Sequence, residues 1–450
     1  MDFISLLRGI FGIFLLIGIA FLLSNNKKKI NWRLVGTGLF IQIIFAILII
    51  KGDQLGSLFA PLGWPKEFFR FISSFFVLIL HFTSEGAKFV FGNLGLGQGN
   101  PESMGTFFAF QVLPTIIFFA SLMSVLYYLG IMQKIVQGMA WFMARLMGTS
   151  GAESLSCTAN IFVGQTEAPL MIKPYLKGMT QSELLTVMVG GMATIAGGVM
   201  AAYIQILGSA FATANNIPLH DAQLLFATHL LGASVMAAPA AMLISKIIYP
   251  EVEEPETKGK VKVDVEKNAS NIIEAAAVGA GDGLTLALNV AAMLIAFIAI
   301  IALINYFLGW VGDVFGFNQY LNSNLGASLS LQLIFGSILQ FLAFGIGVPW
   351  ESAYQFGSLI GTKVVLNEFV AYLDLGNLMQ AKSIVNEKAI LMITYALCGF
   401  ANFSSIAILI GGISPLAPSR RTDLAKLGIR AVIGGTLATL MTATLAGILF

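Results

Sequence analysis

Two short polar stretches, Gly164-Gln165-Thr166-Glu167 and Leu366-Asn367-Glu368-Phe369, interrupt long apolar runs, and a third, Asn402-Phe403-Ser404-Ser405, follows Gly399 in another. Their functional groups are amides, hydroxyls and carboxylates, which donate and accept hydrogen bonds or hold a hard cation through oxygen. A carboxylate near the centre of a bilayer costs about 2.5 to 3.5 kcal/mol on insertion scales, so it belongs where water, an ion or a solute satisfies it. The chemistry is therefore recognition of a polar solute or ion. No HExxH, no GxSxG and no clustered histidines occur, so a membrane-embedded enzyme is not expected. Cys157 and Cys398 have no CxxC spacing, which argues against a zinc site or a disulfide framework.

The surroundings of these stretches are those of a membrane. Of 450 residues, 57% are hydrophobic and 11% charged, with a mean hydropathy of +0.84; soluble domains carry roughly 25% charged residues. A net charge of +2 offers no basic surface for nucleic acid. The fold class expected is an all-α polytopic membrane protein.

Gly164 lets the backbone turn, and Ala168-Pro169 should stop the preceding helix, because proline lacks an N–H and disfavours a helical residue before it. Lysines lie on both sides, Lys134 before and Lys173 and Lys177 after, so segment 151–178 must enter and leave by one face. A re-entrant hairpin of two short helical arms is expected there, its polar turn shielded by protein.

Spans are expected at Phe3–Leu23, Leu34–Ile50, Phe107–Leu129, Leu184–Leu207, Leu224–Ile248, Thr285–Leu308, Leu391–Ile410 and Ala431–Phe450, about eight in all. Phe3–Leu23 has the length of a span and no Ala-x-Ala-like cleavage site, so it is read as a retained helix. Lys27-Lys28-Lys29 place the first loop in the cytoplasm and both termini outside. Trp64–Gly92 is long enough to span, but a crossing there would disturb this topology. Gln133–Met147 mixes apolar residues with Gln, Lys, Trp and Arg at helical spacing, which suits an interfacial helix. Gly190-Gly191, Thr194 and Gly197-Gly198 mark a helix interior that can unwind. The charge run Glu251–Lys267 reads as a solvated linker.

The second half echoes the first. Tyr306-Phe307-Leu308-Gly309 matches Tyr127-Tyr128-Leu129-Gly130, and the tip at Asn367-Glu368 corresponds to that at Gly164–Glu167. Three crossings and one hairpin per repeat invert the second copy, which is the architecture of secondary transporters. The expected division is 1–104 for N-terminal scaffold helices and 105–248 for the first repeat. Residues 249–280 form the cytoplasmic linker, and 281–450 the second repeat, with its hairpin at 351–378. Glu153 and Glu351 open the hairpins as N-terminal helix partners. His229 reads as structural, Lys363 as snorkelling or pairing with a carboxylate, and Phe400 as near enough to the site to stack on a planar solute.

The sequence resembles the concentrative nucleoside transporter family. The resemblance rests on Gly164-Gln165-Thr166-Glu167-Ala168-Pro169, Gly347-Val348-Pro349-Trp350-Glu351, Asn367-Glu368-Phe369-Val370-Ala371-Tyr372 and Asn402-Phe403-Ser404-Ser405, and covers nearly the whole chain. It implies a homotrimer in the inner or plasma membrane, with a fixed scaffold and a mobile transport domain that imports nucleosides such as uridine. It further implies that Gln165, Thr166 and Glu167 face the nucleobase, Val199 gives an apolar base contact, and Glu368, Asn402 and Ser405 hold the ribose. A sodium site is implied at the side chains of Asn160 and Thr194 with carbonyls near Val163, Ile195 and Gly198. The chain departs from the family pattern at Ala196-Gly197-Gly198-Val199, where glycine offers no side-chain contact, so ion stoichiometry stays open. Ala168-Pro169 favours sodium over the proton as coupling ion. A passive channel is the reading of another class.

Overall fold

The computed structural model describes residues 3–97, 102–105, 107–259, 269–325 and 328–450, and among them regular structure is helical with one isolated bridge between Ser150 and Lys258. Residues 260–268 of the expected linker lie outside the described residues.

The chain opens with α1 (Phe3–Leu22) and α2 (Trp32–Ile50), the latter capped by Asn31, whose side chain accepts from the Leu34 N–H at 3.2 Å. α3 (Gly52–Leu58) then doubles back on α4 (Ala60–Phe91). Two glycines permit that closeness: a Cβ on Gly56 would lie 3.1 Å from the Gly63 Cα. α5 (Phe108–Gln111), α6 (Leu113–Tyr128) and α7 (Ile131–Met147) lead to the first polar stretch. α8 (Gly151–Ala159) enters it, and α9 (Gln181–Ala193), α10 (Gly197–Asn215) and α11 (Leu219–Ile248) follow. The second half runs α12 (Ile272–Val314), α13 (Phe317–Leu325), α14 (Leu331–Gly345), α15 (Trp350–Val365) and α16 (Glu368–Gln380). It closes with α17 (Glu387–Leu397), α18 (Phe403–Ile413) and α19 (Arg421–Leu449). α12 begins ahead of residue 281, the expected start of the second repeat.

Eight described stretches are long and apolar enough to cross a membrane, but their membership differs from the expected set. Ala60–Gly95 is one of them. The stretch 391–410, expected as the broken helix of the second repeat, is two eleven-residue helices, α17 and α18, divided at 398–402.

The first hairpin also differs from two helical arms. α8 stops at Ala159, well before Pro169, and the return is a short 3-10 turn at Ala168–Ile172 followed by turns. Pro169 and Pro174 remove two backbone donors within six residues, so a regular second arm cannot form. The second hairpin, without proline inside it, has full arms in α15 and α16.

At the centre, α11 packs on α2, α9, α10 and α19. Its stretch from Leu230 to Ile248 is buried throughout and rich in small residues, including Gly232, Ala233, Ala237, Ala238, Ala240 and Ala241. Small side chains let helix backbones approach closely, which is how helices associate where water gives no hydrophobic drive.

Candidate functional site

The site begins where two helices break. α9 ends at Ala193, and Thr194 to Ala196 are extended or bent before α10 starts at Gly197; the other break separates α17 from α18. The breaks touch. A Cβ on Gly399 would sit 2.8 Å from the Met192 carbonyl oxygen and 2.9 Å from that of Ala193, so glycine is the residue that fits. Gly435 of α19 packs on the same point, where a Cβ would lie 2.9 Å from Met192 Cβ and 3.1 Å from Ala401 Cβ.

A polar network spans this crossing inside an apolar body. Glu368, first residue of α16, is buried with both carboxylate oxygens engaged: the Tyr203 hydroxyl donates to Oε1 at 2.8 Å and the Asn402 amide to Oε2 at 3.1 Å. Asn402 is also the N-cap of α18, and its Oδ1 accepts from the Ser405 N–H at 2.9 Å and the Ser404 hydroxyl at 2.7 Å. Ser405 Oγ accepts from the Gln165 amide at 3.2 Å, which links the first polar tip to the second. Gln165, Ser405, Asn402, Glu368 and Tyr203 therefore form one chain of contacts. A carboxylate has about four acceptor positions, so Glu368 retains capacity for two further donors. The Gln165 Oε1 is buried without a partner. An unsatisfied buried acceptor is costly, and a solute N–H or O–H would satisfy it.

The first tip rests on glycines of both broken helices. A Cβ on Gly191 would meet Gln165 Cβ at 2.9 Å, and one on Gly412 would meet Thr166 Cγ2 at 2.7 Å. Thr166 is half-buried there, while Val199 is buried on α10, one turn before Tyr203 and thus on the same face.

Glu167 is not brought into this network. Its carboxylate turns back onto the Gly164 N–H, and the residue lines a cavity of about 270 Å³ between the first hairpin, α6 and α12. Asp282, Phe119 and Tyr127 line the same cavity, as do Val163 and Gly198.

Of the positions associated with sodium, Asn160 ends α8 with its amide donating to the Ser156 carbonyl at 2.9 Å and its Oδ1 buried and unpartnered. The Thr194 hydroxyl donates to the Gly190 carbonyl at 2.8 Å, so its oxygen still has a lone pair to offer. Ile195 lies in the break with its side chain buried. The Gly197 N–H donates to the Phe162 carbonyl at 3.0 Å and ties the hairpin to the break. Helix ends leave carbonyls without intrahelical partners, and this oxygen-rich junction suits a hard cation.

Three lone polar residues take their roles from packing. Tyr203 is fully buried, and its only sequence signal is its helical register with Val199. Lys363 does not snorkel: its buried ammonium donates to the Ala396 carbonyl at 2.8 Å and the Thr439 hydroxyl at 3.2 Å, with the Glu368 carboxylate near enough to interact through charge. It caps the last turn of α17 at the break, where a cation is favourable. His229 places Nδ1 3.3 Å from the Tyr395 hydroxyl, a structural contact as expected.

Below the hairpin, Ser150 and Glu153 form a reciprocal cap on α8, with the Ser150 N–H donating to Glu153 at 2.8 Å. The buried ammonium of Lys246 pairs with Glu153 at 2.8 Å and Glu251 at 3.2 Å and donates to the Ser182 hydroxyl at 2.9 Å. Glu251 and Thr257 anchor the start of the charged linker, while Val252, Glu253, Glu254, Glu256 and Lys258 are exposed, as a solvated run should be. Thr257 accepts from the Gly151 N–H through its carbonyl at 2.9 Å and from the Ala152 N–H through its hydroxyl at 3.1 Å. Glu351 opens α15 and accepts from the Asn386 amide at 3.2 Å.

Three family models match the chain: sodium-dependent nucleoside transporter N-terminus at residues 11–94, nucleoside recognition at 109–210, and sodium-dependent nucleoside transporter C-terminus at 229–447. The chain is 47% identical to an uncharacterized transporter of Haemophilus influenzae, over 99% of this chain and 98% of the relative. It is 40% identical to sodium/nucleoside cotransporter 1 of Mus musculus, over 98% of this chain and 63% of that longer protein. Among solved structures, CNTnw in an inward-facing substrate-bound state aligns with a TM-score of 0.85 and 39% identity, over 100% of this chain and 98% of that one. An outward-facing double variant of CNTnw gives 0.85 and 40%, over 100% and 99%.

Proposed function

The chain belongs to the sodium-dependent nucleoside transporter family, and from that premise we propose that it imports nucleosides together with sodium by alternating access. It is a multi-pass membrane transporter and not an enzyme. The observation that carries the proposal is the buried chain from Gln165 through Ser405 and Asn402 to Glu368 and Tyr203. It joins both polar tips and both broken helices inside apolar surroundings. In this reading Glu368, steered by Tyr203 and Asn402, accepts from the ribose hydroxyls, with Ser405 beside it. Gln165 and Thr166 meet the base over Val199, and Glu167 faces the adjoining cavity, from which it completes the base contacts.

The architecture follows as part of the same proposal. Segments 151–178 and 351–378 are re-entrant hairpins, 105–248 and 281–450 are inverted repeats, 1–104 is scaffold, and 249–280 connects the repeats. The matching element order supports it: a helix before each hairpin, a broken helix after it and a long closing helix, α11 or α19. Both termini lie outside, and three copies associate through the scaffold in the inner or plasma membrane.

Sodium is the proposed co-substrate, held by Asn160 and Thr194 with carbonyls near Val163, Ile195 and Gly198. The unpartnered Asn160 Oδ1 supports this, and so does the name of the mouse relative. The ion and nucleoside need not touch. Sodium would order the hairpin through the junction at Phe162 and Gly197, and the nucleoside then binds a tip already in place. Uptake of uridine into proteoliposomes under an inward sodium gradient tests the function. Accumulation driven by sodium and not by potassium is expected. Accumulation driven by a proton gradient alone assigns the proton as coupling ion, and unsaturable equilibration without any gradient assigns a channel.

A further inference from the structure

A second cavity, of about 650 Å³, lies between α4, α6 and the junction of α10 with α11, apart from the tips and from the cavity at Glu167. Among the described residues, its lining contains no aspartate, glutamate, lysine or arginine. It carries instead two of the chain's three histidines, His81 and His220, with Ser84, Gln205 and Gln223 over an apolar floor. Gln223 donates to the Gln205 carbonyl at 2.8 Å, which leaves the Gln223 carbonyl and the Gln205 amide hydrogens for a ligand. The volume falls within the range of small-molecule sites, roughly 300 to 1,000 Å³.

On α4, Ser74, His81 and Ser84 recur at helical spacing and line the cavity, while Phe68, Phe75, Phe82 and Phe89 fall on another face and are exposed. Ser74, His81 and His220 are exposed, so the cavity is open to its surroundings, and Ser84 is half-buried. α10 connects that space to the network, because Gln205 stands two residues, about 3 Å along the axis, beyond Tyr203.

We propose that this cavity is a second binding site for a neutral, hydrogen-bonding aromatic solute of the nucleoside class. With no fixed charge in the lining, a phosphate or a free ion finds no counter-charge there, whereas a neutral solute needs none. The amides and imidazoles match ring edges and hydroxyls, and the leucines beside them match a ring face. The class of ligand rests on the transport reading above. In the orientation proposed there, the site lies toward the external side, where α10 ends and α11 begins.

The test is equilibrium dialysis of the purified full-length protein with radiolabelled uridine. Sodium-dependent binding by the unmodified protein reads the central site, and its failure would count against the transport reading alone. The Glu368→Gln protein in sodium-free buffer isolates the second site. One weak uridine site per chain is expected to remain, and adding Gln205→Leu or Ser84→Trp should weaken it at least tenfold. Ser84→Trp in the otherwise unmodified chain should keep full sodium-dependent binding, which shows that the variant folds. No residual uridine binding in Glu368→Gln, or residual binding indifferent to both cavity substitutions, overturns the proposal even when the central site binds normally. Equal competition by uridine monophosphate at the residual site also overturns it.

Discussion

Tyr203 and Glu368 stand 165 residues apart in the chain and meet through a hydrogen bond of 2.8 Å, the phenol donating to the carboxylate. The Tyr203 ring is held between Phe369 and Tyr372, with centroids 4.7 and 4.4 Å away, so the hydroxyl has a fixed position. Tyr203→Phe keeps that packing and removes the donor. A hydrogen bond to a charged group is worth about 1.5 to 3 kcal/mol. The expected result is a KM for uridine raised about tenfold or more, with thermal unfolding in detergent little changed. An unchanged KM would show that Asn402 alone positions Glu368.

At the proposed ion junction, Thr194→Ala removes the hydroxyl that donates to the Gly190 carbonyl while leaving the Gln165 to Glu368 network intact. The concentration of sodium giving half-maximal uptake should rise several-fold, with the uridine KM at saturating sodium nearly unchanged. An unmoved sodium curve would remove Thr194 from the site.

Coupling between the two ligands has a thermodynamic signature. If sodium tightens uridine by some factor, uridine must tighten sodium by the same factor, and couplings of about 1 to 3 kcal/mol are typical. Calorimetric titration of uridine at several sodium concentrations and constant ionic strength measures it. Affinity indifferent to sodium but sensitive to proton concentration would replace the ion.

Gly399→Ala places a Cβ 2.8 Å from the Met192 carbonyl oxygen, a backbone atom that cannot swing aside. Overpacking of this kind costs about 1 to 3 kcal/mol. The variant should unfold at lower temperature and lose transport, whereas Gly18→Ala, where a Cβ meets nothing within 4 Å, should do neither. Equal behaviour of the two would mean that the breaks separate readily in solution.

Lys246→Met leaves Glu153 buried without its counter-charge, and breaking a buried pair costs about 3 to 5 kcal/mol. Stability measured by thermal unfolding should fall clearly. Combining it with Glu153→Gln should recover part of the loss, because the uncompensated charge is gone. A double variant as unstable as the sum of the singles would show that packing, not charge, is at stake.

The sequence by itself determined the membrane class, the helical fold and the two polar tips, because these depend on local composition. A carboxylate inside an apolar run is visible from its neighbours alone, and so are Glu368, Asn402 and Ser405. The break at Thr194 was legible from its glycines, although Gly190 and Gly191 turned out to be helical, making room for Cys157 and Gln165 rather than unwinding. The early stop of α8 was not legible, since Asn160 to Val163 read as a continuing helix. Only the tertiary structure decided which polar groups meet. Glu167, which the resemblance groups with Gln165, lines a cavity that Gln165 does not. Tyr203 and Lys363 sit in apolar helices with no motif around them. Their partners lie 165 and 33 residues away, and packing alone brings such pairs within bonding distance.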